Sequence, residues 1–440
     1  MRSWRGPLAI PIVAALVIAA CGGGGASTAP GQSATTASGA PAATSGGAAA
    51  SAAAPSTLNV WVRQDTEALY QLLAKEYNKT HATQVVLTPI QQSDFVTKVS
   101  TAAATGTLPD VLSTDVAFVA GFVNAGVFVD TSGRINALPY GNALLSAWVK
   151  AASKDGAEYG VPAAIDVSTM YYNKDLFQRA GLNPDQPPTT WNEILQDAKT
   201  ITALGGGVTG YYFAGQCGGC NGFDMLPMIW ASGGENVPGA SVSLNSPQAS
   251  ALMQFYHQMW AGGMIAPGAK TDTGASWVTA FETGKIGIAP YGGFALTEFK
   301  KDSSLHFGAF LIPGENGGTS SFAGGDVMGI TKGAKNPGAA WDFIQWMLSN
   351  DVQLNVVAAN GYLVDRTDLA DNQYAQQDPL IALHYKAASI AQVPDTAYFN
   401  QLFTDPAGPW NALMQTAVFG GTIQGGLQTA QAAFNKITGK

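Results

Sequence analysis

The order of apolar patterns between Leu58 and Asp115 constrains the fold most. "LNVWV" is a short β-branched run, after which Leu69, Leu72, Leu73 and Tyr77 recur at helical spacing. "TQVVLTP" reads as a strand, Phe95 to Ala104 as a helix, and "PDVLSTD" as a third strand. Few architectures accept such an alternation. Parallel strands need long crossovers, and a crossover helix covers a face of the sheet. The order therefore predicts a doubly wound α/β lobe.

A second lobe is expected after "EYGVPAAIDVSTMYYNKDLF". In "PPTTWNEILQDAKTITALGGG", Thr190 and Glu193 have capping-box spacing, Ile194, Leu195, Ala198 and Ile201 form one stripe, and Gly205 stops the helix. Ser246, Pro247 and Gly262 punctuate another helix in the same way, and Pro337 starts a third. The tail from Asp371 to Lys440 is helix-biased, most clearly from Trp410 to Phe419.

The chain opens with Arg2 and Arg5 and an apolar run, Leu8 to Ala20, too short to span a bilayer. "LVIAAC" looks like a lipobox, so residues 1–20 are expected to be a lipoprotein signal and Cys21 the lipid-modified first residue of an exported protein. Residues 21–56 hold no charge and no large apolar side chain. They are expected to form a flexible tether with a root-mean-square span of roughly 30 Å. The membrane would be touched only through the lipid. A formal net charge of −8, more negative still without Arg2 and Arg5, excludes a nucleic-acid role.

Catalytic motifs are missing. "GGGVTG", Gly205 to Gly210, follows a helix and precedes a strand, the reverse of a dinucleotide-binding turn. There is no G-x-S-x-G, H-E-x-x-H or Walker A pattern, and His81, His257, His306 and His384 are scattered. The sequence points to no enzyme and no cofactor. Cys217 and Cys220 form a Cys-x-x-Cys. A zinc site would need more ligands nearby, so no metal is expected. A thioredoxin-type centre would place its nucleophile at a helix N-terminus, whereas Gly218 and Gly219 here suggest a Gly-rich loop. An exported pair without other partners is expected to oxidise to a small structural bridge. A thiol oxidoreductase stays open as the alternative from a different class.

Several segments, taken in order, resemble the extracellular solute-binding family 1, the maltose-binding-protein-like receptors of ABC importers. They are "STAAATGTLPDVLSTDVAFVAGFVNAGVFVD", "YGVPAAIDVSTMYYNKDLFQRAGL", "PPTTWNEIL", "WASGGEN", "FETGKIGIAPYGGFAL" and "AGGDVMGITKGAKNPGAAWDFIQWML". The resemblance covers nearly the whole folded region. It implies a periplasmic-binding-protein-like fold of two α/β lobes joined by crossing hinge segments. Lobe 1 would comprise residues 57–165 plus 325–370, and lobe 2 residues 166–324 plus 371–440. A monomer would present a neutral mono- or oligosaccharide to the membrane subunits of an ABC permease.

Sugar rings need flat aromatics against their C–H faces and carboxylates or amides along the hydroxyl belt. Matched positions single out Asp166, isolated in an apolar run, and Asp115 at a strand's C-terminal end. Asp65, which could equally cap the next helix, and Asp326 join them, with Arg63 and Gln64 as companions of Asp65. Gly325, beside Gly324, would let backbone approach the ligand. Of the aromatics at strand ends, loops or helix starts (Trp61, Trp230, Trp277, Tyr291, Phe294 and Trp410), about half are expected to touch it. Gln216 and Asn221 beside the cysteines are further candidates. Aromatics with aspartates would also cage a polyamine or other cation, which remains the alternative within binding proteins.

Overall fold

The computed structural model describes residues 56–440. The signal segment, Cys21 and the tether as far as residue 55 lie outside the described residues. The strand Thr57–Arg63 runs between two parallel neighbours, Gln84–Ile90 and Val111–Asp115. Its Leu58, Val60 and Val62 point to one face, where the helix Glu67–Thr80 covers them with Leu69, Tyr70, Leu73 and Tyr77. Tyr70 takes the inward place expected of Leu72, which is half-buried. The helix Gln92–Thr105 lays Phe95 and Val99 on the other face, against Leu112 and Trp61. Each such buried side chain contributes about 1.5–3 kcal/mol, so the period-two strand pattern fixes which face each helix covers.

Two long strands carry the sheet onward, Val161–Asn173 and Thr319–Ile330. The second lies antiparallel to both Val111–Asp115 and the first. Beyond its centre, Val161–Asn173 pairs antiparallel with Ile286–Gly292 and Phe307–Phe310, and Thr209–Tyr211 joins parallel to Ile286–Gly292. The sheet is thus mixed, because Thr319–Ile330 runs against the first three strands while Val161–Asn173, antiparallel to it, runs with them. One large apolar cluster surrounds its second half, from Met170 and Tyr171 through Phe281 to Phe434.

The helices of this half start as their punctuation requires. Thr190 accepts from the Glu193 N–H and heads Trp191–Thr202, whose buried residues include Ile194, Leu195, Ala198 and Ile201. The Glu193 carboxylate reaches back to the Thr189 N–H at 2.6 Å, so the capping box closes one residue earlier than its spacing suggests. Ser246 caps Pro247–Ala261 and Asn336 caps Pro337–Met347. In the tail, Pro379–Ser389 follows the expected boundary at 370/371, yet its Ala387 and Ala388 pack into the cluster of Phe95 and Leu112. No helix among the described residues is long and apolar enough to cross a membrane.

Candidate ligand-binding site

Where the long strands pass between the two halves, a cleft of about 910 Å³ opens. Its first-half wall carries Arg63, Asp65, Asp115 and Phe118, and its second-half wall carries Cys217–Cys220, Phe223, Trp277, Phe294 and Asn411. Ala164, Asp166 and Gly325 lie at the bottom, on the long strands themselves.

The charged end is organised by Arg63, the last residue of the first strand. Its Nε donates to Asp326 at 2.7 Å, its Nη2 lies 2.6 Å from the same carboxylate, and its Nη1 stands 3.2 Å from Asp115. Burial opposes the guanidinium charge, but Asp326, Asp115 and Asp65 outweigh it and hold the pKa of Arg63 above its ordinary value. Asp115 has two tasks. Its Oδ1 accepts from the Ala117 N–H at 2.9 Å as the cap of Val116–Asn124, while Oδ2 faces Arg63. Burial raises its pKa against the pull of that arginine. Among the described residues, Arg63 is the single Lys or Arg on the cleft wall, and carboxylates already engage it.

Asp166 accepts from the Gly293 N–H at 2.6 Å. Burial pushes its carboxyl up to about 6, against the N–H groups of Val167, Gly293 and Phe294 and the charge of Arg63. His384 lines the same end. Its Nδ1 sits 2.6 Å from the Leu380 carbonyl and its Nε2 3.0 Å from the Tyr171 hydroxyl, and burial lowers its pKa, which favours the neutral ring. Across the cleft, Phe294 is 42% exposed and meets Trp277 edge-on at 5.6 Å. Phe118 and Phe399, both on the cleft wall, have ring centres 6.3 Å apart.

The model of the bacterial extracellular solute-binding protein family matches residues 62–354. The chain belongs to this family. A Brucella abortus protein named as a binding protein is 27% identical over 306 residues, which span 68% of this chain and 72% of that one. The sn-glycerol-3-phosphate-binding periplasmic protein UgpB of Yersinia enterocolitica is 24% identical over 221 residues, 48% of this chain and 49% of UgpB. Among solved structures, an ABC transporter solute-binding protein of Thermotoga lettingae, bound with α-D-tagatose, superposes with a TM-score of 0.76 at 20% identity. That match covers 87% of this chain and 100% of the other. The GacH receptor of Streptomyces glaucescens, solved unliganded and with acarbose, gives 0.75 at 24% identity over 88% and 99%. The fold is therefore the mixed α/β architecture of periplasmic solute-binding proteins, and members of this family bind solutes without transforming them.

Within this solute-binding protein, the cleft brings together Asp65, Asp115, Asp166, Phe294 and Gly325, together with Arg63, Gln216, Gly324 and Trp277. The structure places other expected residues elsewhere. Asp326 is 0% exposed, and its lone pairs go to Arg63, Thr66 Oγ1 and Ser113 Oγ, so it anchors the arginine from beneath the wall. Gln64 is exposed in a short turn off the cleft. Trp410 is fully buried against Phe403 at 5.2 Å, and Trp230 is buried beside Phe322 at 6.1 Å. Tyr291 is buried too, donating to the Trp277 carbonyl at 2.9 Å from behind. These three rings fall on the inward faces of their elements and back the residues that do line the cleft. Trp61 lies under Lys98, with the ammonium 5.1 Å from the ring, and Asn221 is buried behind the wall.

The Cys-x-x-Cys differs from its expected loop. Cys217 and Cys220 form a disulfide, and Cys217 is the cap of a 14-residue helix, Gly218–Ala231. Packing explains the glycines there, since a methyl group on Gly218 would lie 1.9 Å from the Phe403 carbonyl oxygen. Phe118, Phe223, Tyr362, Phe399 and Asn411 also line the cleft and were not singled out by the sequence. They have the composition of ordinary core or helix residues, and no local pattern marks them.

Proposed function

We propose that this solute-binding protein captures a neutral carbohydrate, most simply an oligosaccharide, for an ABC importer. One observation carries the reading: a cleft of about 910 Å³ that joins aromatic edges to carboxylates and holds no free cation among its described wall residues. The volume sits at the upper end of small-ligand sites, about 300–1,000 Å³. Phe294, Trp277, Phe118 and Phe223 offer apolar surface for C–H faces, and Asp65, Asp115 and Asp166 offer acceptors for hydroxyls. A micromolar dissociation constant corresponds to about −8 kcal/mol, within reach of stacked rings plus hydrogen bonds to carboxylates at about 1.5–3 kcal/mol each. The tagatose and acarbose complexes of similar structures support a sugar. The acidic wall argues against a phosphate ester like the ligand named for UgpB.

Binding would favour the closed arrangement by the ligand's differential contact with two lobes that hinge on the long strands. The body would ride outside the cytoplasm on a lipid at Cys21, lifted by the tether, and deliver the sugar to the permease subunits. Calorimetry of the chain from Thr57 onward against neutral mono- and oligosaccharides, including tagatose, maltose and mannotriose, tests this. Binding of at least one at micromolar or tighter affinity is expected, unchanged between low and high salt. The excess of carboxylates favours a cationic ligand as the second reading, and affinity for a polyamine that falls steeply with salt would replace the first.

A further inference from the structure

We propose that Cys217–Cys220 is a reversible redox site in the cleft wall, opened by a dithiol while the protein stays folded, and that its state sets how tightly the cleft holds its ligand. The coupling to ligand rests on the carbohydrate reading; the redox site stands without it. A purely structural bridge is expected to be shielded and to restrain a long stretch of the unfolded chain. This one does neither. Both cysteines are half-buried and line the cleft, on either side of Gly218 and Gly219, which place no side chain over the sulfurs. The bridge encloses only those two residues, so it restrains the unfolded chain less than a long-range bridge would. Gly274 packs against the pair: a methyl group on it would lie 3.2 Å from Cys217 Sγ and 3.4 Å from Cys220 Sγ.

The position of Cys217 favours the reduced state. It caps the 14-residue helix Gly218–Ala231, and its Sγ accepts from the Cys220 N–H at 3.3 Å. A thiolate there keeps that bond and faces the positive end of the helix dipole, the setting that lowers a cysteine pKa. Two carboxylates on neighbouring segments act the other way. Asp272 accepts from the N–H groups of Gly274 and Ser276, and Asp405, which accepts from the Ala407 N–H, follows the Thr404 that packs on Gly219. In the exchange, a donor thiolate attacks Cys220 Sγ and forms a mixed disulfide, while the Cys217–Cys220 bond breaks and its electron pair leaves on Cys217 as the thiolate. The donor's second thiol then displaces Cys220 and gives it a proton. Two electrons pass from the dithiol to the pair, the donor's first proton goes to water, and the donor departs as a disulfide. Reduction thus puts a charge on a stretch of wall that the bridge leaves neutral and unclamps the helix start, which raises the ordering cost of binding a neutral ligand.

The test treats the folded full chain with dithiothreitol, alkylates it with iodoacetamide and identifies the modified cysteines by peptide mass. Cys217 and Cys220 should become reactive without urea, while the far-ultraviolet circular dichroism stays that of the oxidised chain. At about pH 6.5, reduced Cys217 should react roughly tenfold faster in the folded chain than in urea, as a lowered thiol pKa requires. Cys220→Ser isolates Cys217 for that rate, and Cys217→Ser should leave Cys220 without the acceleration. A bridge that opens only after unfolding, or a Cys217 no faster in the fold than in urea, overturns the redox site. Calorimetry with the tightest neutral saccharide from the panel should give a several-fold lower affinity after reduction and the starting value after reoxidation. Equal affinities in both states overturn the coupling and leave the carbohydrate reading standing. If no saccharide binds, that reading and the coupling fall together, and the thiol results alone decide the redox site.

Discussion

A methyl group on Gly325 would lie 2.0 Å from the carbonyl oxygen of Ala164, the residue facing it on the other long strand. Ala163 pairs with Asp326 and Asp166 with Gly324, so Ala164 and Ile165 together stand opposite Gly325. Both centres of the irregularity have positive φ, 48° at Ala164 and 76° at Gly325. This bulge, two residues of Val161–Asn173 against one of Thr319–Ile330, lies at the bottom of the cleft, where a rotation of one half against the other would bend the sheet. Gly325→Ala meets a backbone atom that cannot yield and a backbone region unfavourable to L side chains by about 1–2 kcal/mol. It should lower the midpoint of urea unfolding clearly, whereas Ala164→Gly should leave it unchanged or slightly higher. Equal midpoints for parent and Gly325→Ala would show that the strands re-pair without the bulge.

Ligand affinity should fall in acid, and Asp166 sets where. Its carboxyl titrates near about 6 in the free protein because burial outweighs the N–H groups that hold it. Above that pH the carboxylate accepts strongly from ligand hydroxyls, and below it the protonated group accepts weakly. The dissociation constant should be flat above pH 7 and rise between pH 6.5 and 5. Asp166→Asn should weaken binding about tenfold or more at pH 7.5 and flatten the acid limb. An acid limb that persists in Asp166→Asn would assign the titration to another group.

The two aspartates on Arg63 should separate stability from binding. Asp326 is buried 263 residues away in sequence and takes both the Nε and Nη2 contacts. Asp326→Ala would leave a buried guanidinium short of its main partner, a loss of about 3–5 kcal/mol. Asp115 borders the cleft, and burial costs its carboxylate enough to raise its pKa despite Arg63. Asp115→Asn keeps the cap on Ala117 and should change unfolding free energy by less than about 1 kcal/mol while weakening ligand binding. Denaturation and calorimetry on the two variants give opposite rankings if this division holds.

Local pattern carried the elements well, because burial and capping act over a few residues. The stripe from Ile194 to Ile201, the Ser246-Pro247 start and the three parallel strands of the first half each follow from spacing that a helix or strand imposes. Asp166 was legible as a carboxylate stranded in an apolar run. The remaining site depends on contacts distant in sequence. Nothing near Asp326 announces that Arg63 occupies it, and Trp410 has the composition of a stacking ring and of a core ring alike. Whether an inward face meets the core or the cleft is decided by how elements pack, which period and composition leave undetermined.

Asp224 gives the chain a stability that should decline as pH rises. Neither carboxyl oxygen has a hydrogen-bond partner among the described residues, and burial raises the pKa well above the usual carboxylate range. The folded protein therefore keeps this proton to higher pH than the unfolded chain, which releases it above about pH 4. A raised folded pKa contributes its full stability below the unfolded value and loses it as pH climbs towards the folded one, by up to about 1.4 kcal/mol per pH unit. Asp365, pushed up to about 8 by burial, acts in the same sense. Asp224→Asn removes the proton linkage at its site and keeps the shape. Its unfolding free energy should match or trail the parent's near pH 4 and gain on it as the pH rises above that. Urea titrations of both chains at four pH values measure the difference, and a pH-independent difference would mean that Asp224 ionises in the fold with a partner such as a bound water or cation.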